Sequence, residues 1–191
     1  MDLKSIVAGE ELTLLAVDKD MEDSEGDSPR GYLSTYSIGD KCVRKLWYSF
    51  RWYSKSSFKA RTLRLFADGH ASEAIMAARL QRVVNLEVED SVTGKQFGFS
   101  AIGGHFKGHC DGLLPDGTLE SGQPAVWEHK CVGEAVYKKL HKAKVQHGEK
   151  NCLREWNPVY YGQAIIYMHM FKMKRHYLTA SSAGSRDHMS V

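Results

Sequence analysis

The chain has 191 residues, of which 42% are hydrophobic and 26% charged, and its formal net charge is +3. This composition is typical of a soluble globular protein with one core of ordinary size. No apolar run reaches the ~18 residues that indicate a membrane span, and the N-terminus has no signal-peptide pattern. The four cysteines are scattered without a CxxC pair, which favours reduced thiols and a cytoplasmic protein.

The N-terminal segment differs in charge from the rest of the chain. Residues 1–29 contain nine acidic and two basic side chains. We interpret residues 1–30 as a mobile acidic leader with a short helix around residues 9–17, and residues 31–191 as one domain.

A basic and aromatic segment follows the leader. Residues 30–67 contain nine basic side chains and one acid, Asp40, with tryptophan, tyrosine and phenylalanine interleaved. Such a mixture suits a phosphate backbone and exposed bases, although a helix with a solvated basic face and a buried aromatic face is an equally good interpretation. Ser37 and Asp40 resemble a capping box for a helix whose apolar stripe is Val43, Leu46, Trp47 and Phe50.

The remaining elements are predicted in chain order from periodicity and turn residues. A helix covers residues 59–82. Strands follow in "VVNLEVED", "KQFGFSAI", "HFKGHCDGLL" and, after the turn "PDG", in "AVWEHK". Two helices and a last strand, "RHYLTAS", complete the order α, β, β, β, β, α, α, β. We therefore predict an α/β (α+β) domain around a mixed central sheet flanked by helices, with the last strand exposed and the chain truncated at its C-terminus.

Two carboxylates and a lysine mark the candidate chemistry. Strand alternation puts Glu128 and Lys130 on one face and Trp127 and His129 on the other. If the strand that carries Asp111 is adjacent, Asp111 and Glu128 can converge on one divalent cation. Their hard oxygen ligands suit magnesium or manganese. Lys130 could then hold a phosphate oxygen or a water, which are the parts needed to hydrolyse a phosphodiester.

Three further residues could belong to the same site. Glu73 lies on the long helix one turn after Gly69, a small residue that would let the helix approach the sheet; an exposed helical glutamate is the alternative. Gln163 and Tyr167 are four apart and share one helix face. Ordinary satisfaction of a buried tyrosine hydroxyl is the alternative for that pair.

Taken together, these motifs resemble the PD-(D/E)xK nuclease superfamily, and most closely its RecB-like and lambda-exonuclease-like branch of phage exonucleases. The similarity covers about residues 32–180, with "GHCDG", "VWEHK" and "GQAIIYM" in the order of the family's motifs. It implies a restriction-endonuclease-like core. Cys110 stands where the family's name has proline.

The resemblance also implies roles for individual residues. Asp111, Glu128 and the main-chain carbonyl of His129 would ligate Mg²⁺, for which Mn²⁺ could substitute, and Glu73 would be a third acidic group. Lys130 would position or activate the water, and Gln163 and Tyr167 would brace the site and the DNA strand. Cys42 stands where iron–sulfur members of this branch have their first cluster cysteine, but the three clustered downstream cysteines are missing, so no iron–sulfur cluster is expected.

The function expected from these features is a metal-dependent DNA exonuclease of recombination, repair or phage DNA metabolism, in a bacterial or phage-infected host cell. A structure-specific endonuclease and a non-catalytic DNA-binding module on a nuclease fold are the alternatives. DNA is the expected partner, with a single-strand annealing or recombination protein as a candidate. The basic side chains expected to contact DNA are Arg44, Lys45, Arg51, Lys138, Lys139 and Lys142.

Overall fold

The computed structural model describes residues 11–25, 30–53 and 57–191. Five α-helices are α1 (Leu12–Ser24), α2 (Val43–Phe50), α3 (Ala60–Leu80), α4 (Glu134–Trp156) and α5 (Pro158–Met170) in the described ranges. The strands there are β1 (Leu33–Ser34), β2 (Gly98–Ala101), β3 (Phe106–His109), β4 (Gly112–Leu114), β5 (Ala125–Val132), β6 (His176–Ser182) and β7 (His188–Ser190). The chain thus has the α+β class that its periodicity predicts.

The strands form two mixed sheets rather than one. The smaller sheet has the order β1-β3-β2, and the larger has the order β4-β5-β6-β7. In the larger sheet β5 is parallel to β6 and antiparallel to β4, and β6 is antiparallel to β7. The chain passes from one sheet to the other between β3 and β4, so that Cys110 and Asp111 lie at the junction.

Trp127 is at the centre of the main core. Its side chain is fully buried and packs with Met76 of α3 and Leu114 of β4. Its indole nitrogen donates to Thr179 Oγ1 at 2.9 Å, which satisfies the one polar atom of the ring. Helix α3 therefore packs directly on β5, the strand that carries Glu128 and Lys130.

Helix α5 begins at a well-formed N-terminus. The Asn157 side chain accepts hydrogen bonds from the main-chain nitrogens of Val159 and Tyr160, and Pro158 occupies the first turn. An asparagine cap followed by proline is a strong helix start because it satisfies amide groups that have no partner inside the helix. This start fixes the direction of the helix that carries Gln163 and Tyr167.

The acidic leader contains a docked helix where a short helix at residues 9–17 in a mobile segment was expected. Helix α1 packs on α3, where Asp18 pairs with Arg64 and Glu22 pairs with Lys59. Glu22 also accepts from the main-chain nitrogen of Ala60 at 2.9 Å, at the start of α3. Residues 1–10 and 26–29 of the leader lie outside the described residues.

The basic-aromatic helix is shorter and less buried than its pattern predicts. A 3-10 turn, Ser37–Gly39, precedes α2, and Asp40 rather than Ser37 accepts from a main-chain nitrogen at its start, that of Cys42. The predicted apolar stripe is only partly covered, since Val43 is 77% exposed and Trp47 54% exposed. The alternative interpretation of a helix with a buried aromatic face therefore holds only in part, because no residue of α2 is buried while Tyr48 and Phe50 are half-buried.

Two strand predictions also need correction. Residues 83–90 form no strand and contribute only the isolated bridges Glu87–Leu113 and Glu89–Gln96. The last predicted strand, β6, is not an exposed edge, because β5 pairs with one side of it and β7 with the other. The three-residue strand β7 is too short to be recognised from side-chain alternation.

Within the described part of the chain, no helix is both long and apolar enough to cross a membrane.

Candidate active site

Asp111 lies opposite Glu128 at the junction of the two sheets. The β4–β5 register pairs Gly112 with Trp127, and one further step along it brings Asp111 beside Glu128. The carboxylate Oδ2 of Asp111 accepts from the main-chain nitrogen of His129 at 2.7 Å. The condition for Asp111 and Glu128 to converge, that their strands are neighbours, is thus met.

Glu128 and Lys130 project from the same face of β5 as an ion pair. The Lys130 Nζ donates to Glu128 Oε2 at 2.7 Å, and the side chains are 20% and 2% exposed. The other carboxylate oxygen, Oε1, is buried without a hydrogen-bond partner. A buried polar atom without a partner is costly, so this oxygen marks a place where a ligand would be stabilising.

Glu73 of α3 belongs to the same group of charges. Partial burial, and then the negative charge of Asp111, raise the pKa of Glu73 to about 7, while Lys130 opposes this rise. Glu73 is half-buried, so the alternative of a fully solvated helical glutamate does not hold.

The acidic groups of the site have raised pKa values, mainly because they are buried. Burial raises the pKa of Glu128 to about 8; Lys130 opposes the rise, and Asp111 and Glu73 add to it. Burial also raises the pKa of Asp111, against the opposing effects of Lys130, the His129 amide and His70. Lys130 itself is held in the charged form, because Glu128 and Asp111 raise its pKa in spite of its burial. The positive charge of Lys130 is therefore shared among three acidic groups, Glu73, Asp111 and Glu128.

The resemblance implies that Asp111 and Glu128 hold a magnesium ion. In residues 11–25, 30–53 and 57–191, no three or more His, Cys, Asp and Glu side chains form a ready-made metal-binding group. Mg²⁺ is usually held by about one or two carboxylates together with waters and substrate phosphates. The partnerless Oε1 of Glu128, opposite Asp111, fits that donor set, and Glu73 is near enough to act electrostatically.

Gln163 and Tyr167 meet on α5 as their spacing predicts. Gln163 Nε2 donates to the Tyr167 hydroxyl at 3.3 Å, and this hydroxyl donates to the carbonyl of His109 at 2.5 Å. Thr35 Oγ1 also donates to the hydroxyl at 2.9 Å. Tyr167 is buried, so its position fixes the end of β3 two residues before Asp111.

Close packing of β3 on α5 depends on Gly108. A Cβ at this position would meet Thr35 Cγ2 at 2.6 Å and Tyr167 Cε1 at 2.9 Å. Any larger residue would therefore push apart the groups that hold the strand leading to Asp111.

His129 points away from the carboxylates, as predicted, into a buried polar network. Its Nδ1 lies 3.0 Å from Thr179 Oγ1, and its Nε2 lies 2.9 Å from Ser72 Oγ and 3.1 Å from Ser181 Oγ. Burial, and then the charge of Lys130, lower the pKa of His129 to about 4, so the imidazole is neutral. The network ties α3 to β5 and β6.

The residue that lets α3 approach the sheet is Ser72 and not Gly69. Apart from its chain neighbours and the backbone of its own helix, no described atom lies within 4 Å of a Cβ added to Gly69. Ser72 is buried and bonded to His129, and it directly precedes Glu73. The prediction for Gly69 was wrong because helix periodicity alone does not say which small residue faces the sheet.

The six basic side chains expected to contact DNA are all on the surface. Arg44, Lys45, Arg51, Lys138, Lys139 and Lys142 belong to exposed residues. Some have local partners: Lys45 pairs with Asp40 at 2.6 Å, Lys138 with Glu134 at 3.2 Å, and the Arg51 guanidinium lies 5.9 Å from the Trp47 ring centroid.

Two residues of the site have no signal in the sequence motifs. Tyr160 of α5 lies under the Lys130 ammonium, with 5.5 Å from Nζ to the ring centroid. His70 is near enough to Asp111 to lower the pKa of that carboxyl. Glu73 follows His70 by three positions, a spacing that puts two residues on one helix face and would have been the only local indication for His70.

Comparisons with known proteins give no family. No family model matches this chain, and no curated protein matches it significantly. Among solved structures, the crystal structure of SSO0001 is similar at 14% identity and a TM-score of 0.46, over 95% of this chain and 78% of that chain. A similarity of this size carries no argument about the activity.

Proposed function

We propose that this protein is a metal-dependent deoxyribonuclease that hydrolyses phosphodiester bonds at DNA ends. The observation that carries the proposal is the buried, partnerless Oε1 of Glu128, beside Lys130 and opposite Asp111. A purely structural ion pair would be expected to satisfy its buried oxygens, whereas a ligand-binding carboxylate keeps one available.

The residues present could perform the parts of the reaction that belong to the protein. Asp111 and Glu128 would hold Mg²⁺, with Mn²⁺ as a substitute, and the cation would stabilise charge on the phosphoryl oxygen and make water more acidic. Lys130 is held protonated, so it would act by orienting a water or a phosphate oxygen and not as a neutral base in the metal-free state.

Glu73 and the bracing pair would act through position and charge. Glu73 has a pKa of about 7, so it can exchange a proton near neutral pH. Tyr167, supported by Gln163, holds the carbonyl of His109 and so the strand that carries Asp111.

The preference for DNA rests on two features. The resemblance of the motifs to PD-(D/E)xK nucleases gives the reaction class, and its phage exonuclease branch gives the preference for ends. The exposed cations of α2 and α4 give a surface for the phosphate backbone, because neutralising phosphates supplies most non-specific affinity.

The direct test is incubation of linear DNA with the protein in magnesium and in excess EDTA. We expect degradation in magnesium and none in EDTA, and we expect Asp111→Asn to be inactive in both. Degradation that is equal in magnesium and EDTA, or that survives in Asp111→Asn, would contradict the proposal.

A further inference from the structure

Tyr36 places an aromatic ring on the surface beside the candidate active site. The residue is 59% exposed, and its ring centroid lies 6.2 Å from that of Tyr160. Tyr160 in turn contacts the ammonium of Lys130, at 5.5 Å from its ring centroid. Two contacts therefore connect an exposed ring to the lysine that pairs with Glu128. A stacked strand with ~3.4 Å between bases would cover this path in a few nucleotides.

The segment around Tyr36 is fixed on both sides. Thr35 Oγ1 donates to the buried Tyr167 hydroxyl at 2.9 Å. Gly39 lies so close to α5 that a Cβ there would meet Val159 Cγ1 at 2.8 Å. A backbone fixed on both sides of Tyr36 reduces the conformational entropy that is lost when a ligand stacks on the ring.

Two lysines lie near the Tyr36–Tyr160 pair, and each is paired with a carboxylate, Lys45 with Asp40 and Lys130 with Glu128. Lys130 is near Tyr160, and Lys45 is near enough to Tyr36 for the tyrosine to contribute to the raised pKa of the lysine, after the larger effect of Asp40. A flat aromatic surface with cations nearby suits a nucleotide strand, in which each base lies beside negative phosphates.

We propose that Tyr36 is a stacking platform for an unpaired base, and that the site takes the end of a single DNA strand. This rests on the proposed nuclease function and narrows its substrate. A base inside a duplex is covered on both faces by its neighbours, whereas an unpaired base can place one face on an aromatic ring. Tyr160 then lies between that base and Lys130.

Stacking can be tested apart from cleavage. Single-stranded oligodeoxynucleotides carry 2-aminopurine at the 5′ end, at the 3′ end or at the centre, and its fluorescence is recorded on mixing with protein in calcium. Variants are Tyr36→Phe, which keeps an aromatic ring, and Tyr36→Leu, which keeps apolar volume without one. Tyr36 is exposed, so both should melt within a few degrees of the wild type, and a melting curve checks this.

We expect 2-aminopurine at one end of the oligodeoxynucleotide to lose fluorescence when wild type or Tyr36→Phe binds, but not when Tyr36→Leu binds. The same Leu variant should bind single strands at least about fivefold more weakly, the lower range for loss of one base–aromatic stack. In magnesium, wild type should degrade single strands and frayed ends faster than blunt duplex, and Tyr36→Leu should lose that preference.

Two outcomes separate this proposal from the nuclease proposal. If Tyr36→Leu quenches 2-aminopurine fluorescence, binds single strands and cleaves DNA as wild type does, Tyr36 is not a stacking platform and the nuclease proposal stands. If no DNA is cleaved in magnesium, the nuclease proposal fails, and the quenching still decides whether Tyr36 stacks on a base. Absence of any binding to single strands would overturn the platform directly.

Discussion

The Lys130 ammonium donates to one oxygen of Glu128 at 2.7 Å, while the other oxygen of that carboxylate is buried without a partner. Lys130 therefore neutralises part of the acidic group but leaves one coordination position on it. Asp111 lies opposite, with one of its oxygens bonded to the His129 amide. The site therefore has one buried carboxylate oxygen that a cation could bind.

Magnesium should stabilise the protein through Asp111 and Glu128. If a cation binds only the folded state and its free concentration is about 100 times its Kd, it adds about 2.7 kcal/mol to the free energy of unfolding. Melting curves at rising magnesium concentration measure this directly, and manganese and calcium should also shift the midpoint. Calcium should support little turnover because its looser coordination positions water poorly.

The matched control is Glu128→Gln, which keeps the size of the side chain. Asp111 remains to compensate the charge of Lys130 in this variant, and a metal-free melting curve measures what the loss of the Glu128–Lys130 ion pair costs. The magnesium shift should disappear in this variant. An equal shift in wild type and Glu128→Gln would mean that the cation binds elsewhere.

Lys130→Ala should reduce turnover much more than DNA affinity. Loss of a positioned electrostatic or proton-transfer group costs about 10²–10⁴-fold in rate. Many exposed basic residues share the phosphate contacts, so the binding constant should change little. Single-turnover cleavage and fluorescence anisotropy separate the two quantities. A variant with near wild-type rate would show Lys130 to be only the counter-ion of Glu128.

Tyr167→Phe and Gln163→Ala should differ in their effect on stability. Removing the Tyr167 hydroxyl takes the acceptor away from the buried Thr35 hydroxyl and the donor away from the His109 carbonyl, which costs about 1–3 kcal/mol. Gln163 is half-buried, and among the described residues its side chain bonds only to that hydroxyl, so Gln163→Ala should cost less than about 1 kcal/mol. Urea unfolding gives both values.

Both variants should also lower the rate on linear DNA by at least about tenfold, roughly 1.4 kcal/mol of transition-state stabilisation. The assay is run well below the unfolding midpoint of each variant. If Gln163→Ala keeps both the stability and the rate of wild type, the pair is ordinary core packing.

His176 should make the protein sensitive to acid. Its Nε2 is buried without a partner although the residue as a whole is only half-buried, and burial, then Lys130, lower its pKa from 6.5 to about 3. Below pH 6.5 the unfolded chain binds a proton that the folded protein rejects. The contribution of this histidine to stability is therefore complete above pH 6.5 and falls toward pH 3, by at most about 1.4 kcal/mol per pH unit.

His176→Leu isolates this effect from the other titrating groups. Relative to wild type, the variant should gain about 1–3 kcal/mol of unfolding free energy between pH 7.5 and pH 4.5. Urea unfolding at the two values measures the difference. A stability difference that does not change with pH would show that His176 accepts a proton in the folded state.

Local patterns predicted the parts of the site that depend on one element. Alternation along β5 separated Glu128 and Lys130 from Trp127 and His129, and the helical spacing of Gln163 and Tyr167 predicted their contact. Both follow from backbone geometry that does not require knowledge of the rest of the fold.

Contacts between segments that are distant in the chain could not be predicted from local sequence patterns. The contact of Tyr36 with Tyr160 joins residues 124 positions apart, and the burial of Ser72 depends on how α3 rotates on the sheet. The central position of β6 depends on the three-residue strand β7, whose sequence has no strand pattern. These features are set by tertiary packing, which overrides local propensity.

Metal-dependent cleavage at DNA ends is measured most directly with end-labelled linear DNA and covalently closed circular DNA. The rate of cleavage of each is compared in magnesium and in EDTA, for wild type and for Glu128→Gln. We expect the wild type to degrade the linear molecule only in magnesium and to spare the closed circle, and we expect Glu128→Gln to be inactive. Degradation by Glu128→Gln at the wild-type rate, or in EDTA, would contradict the site. Cleavage of closed circles as fast as linear DNA would contradict the preference for ends and favour an endonuclease.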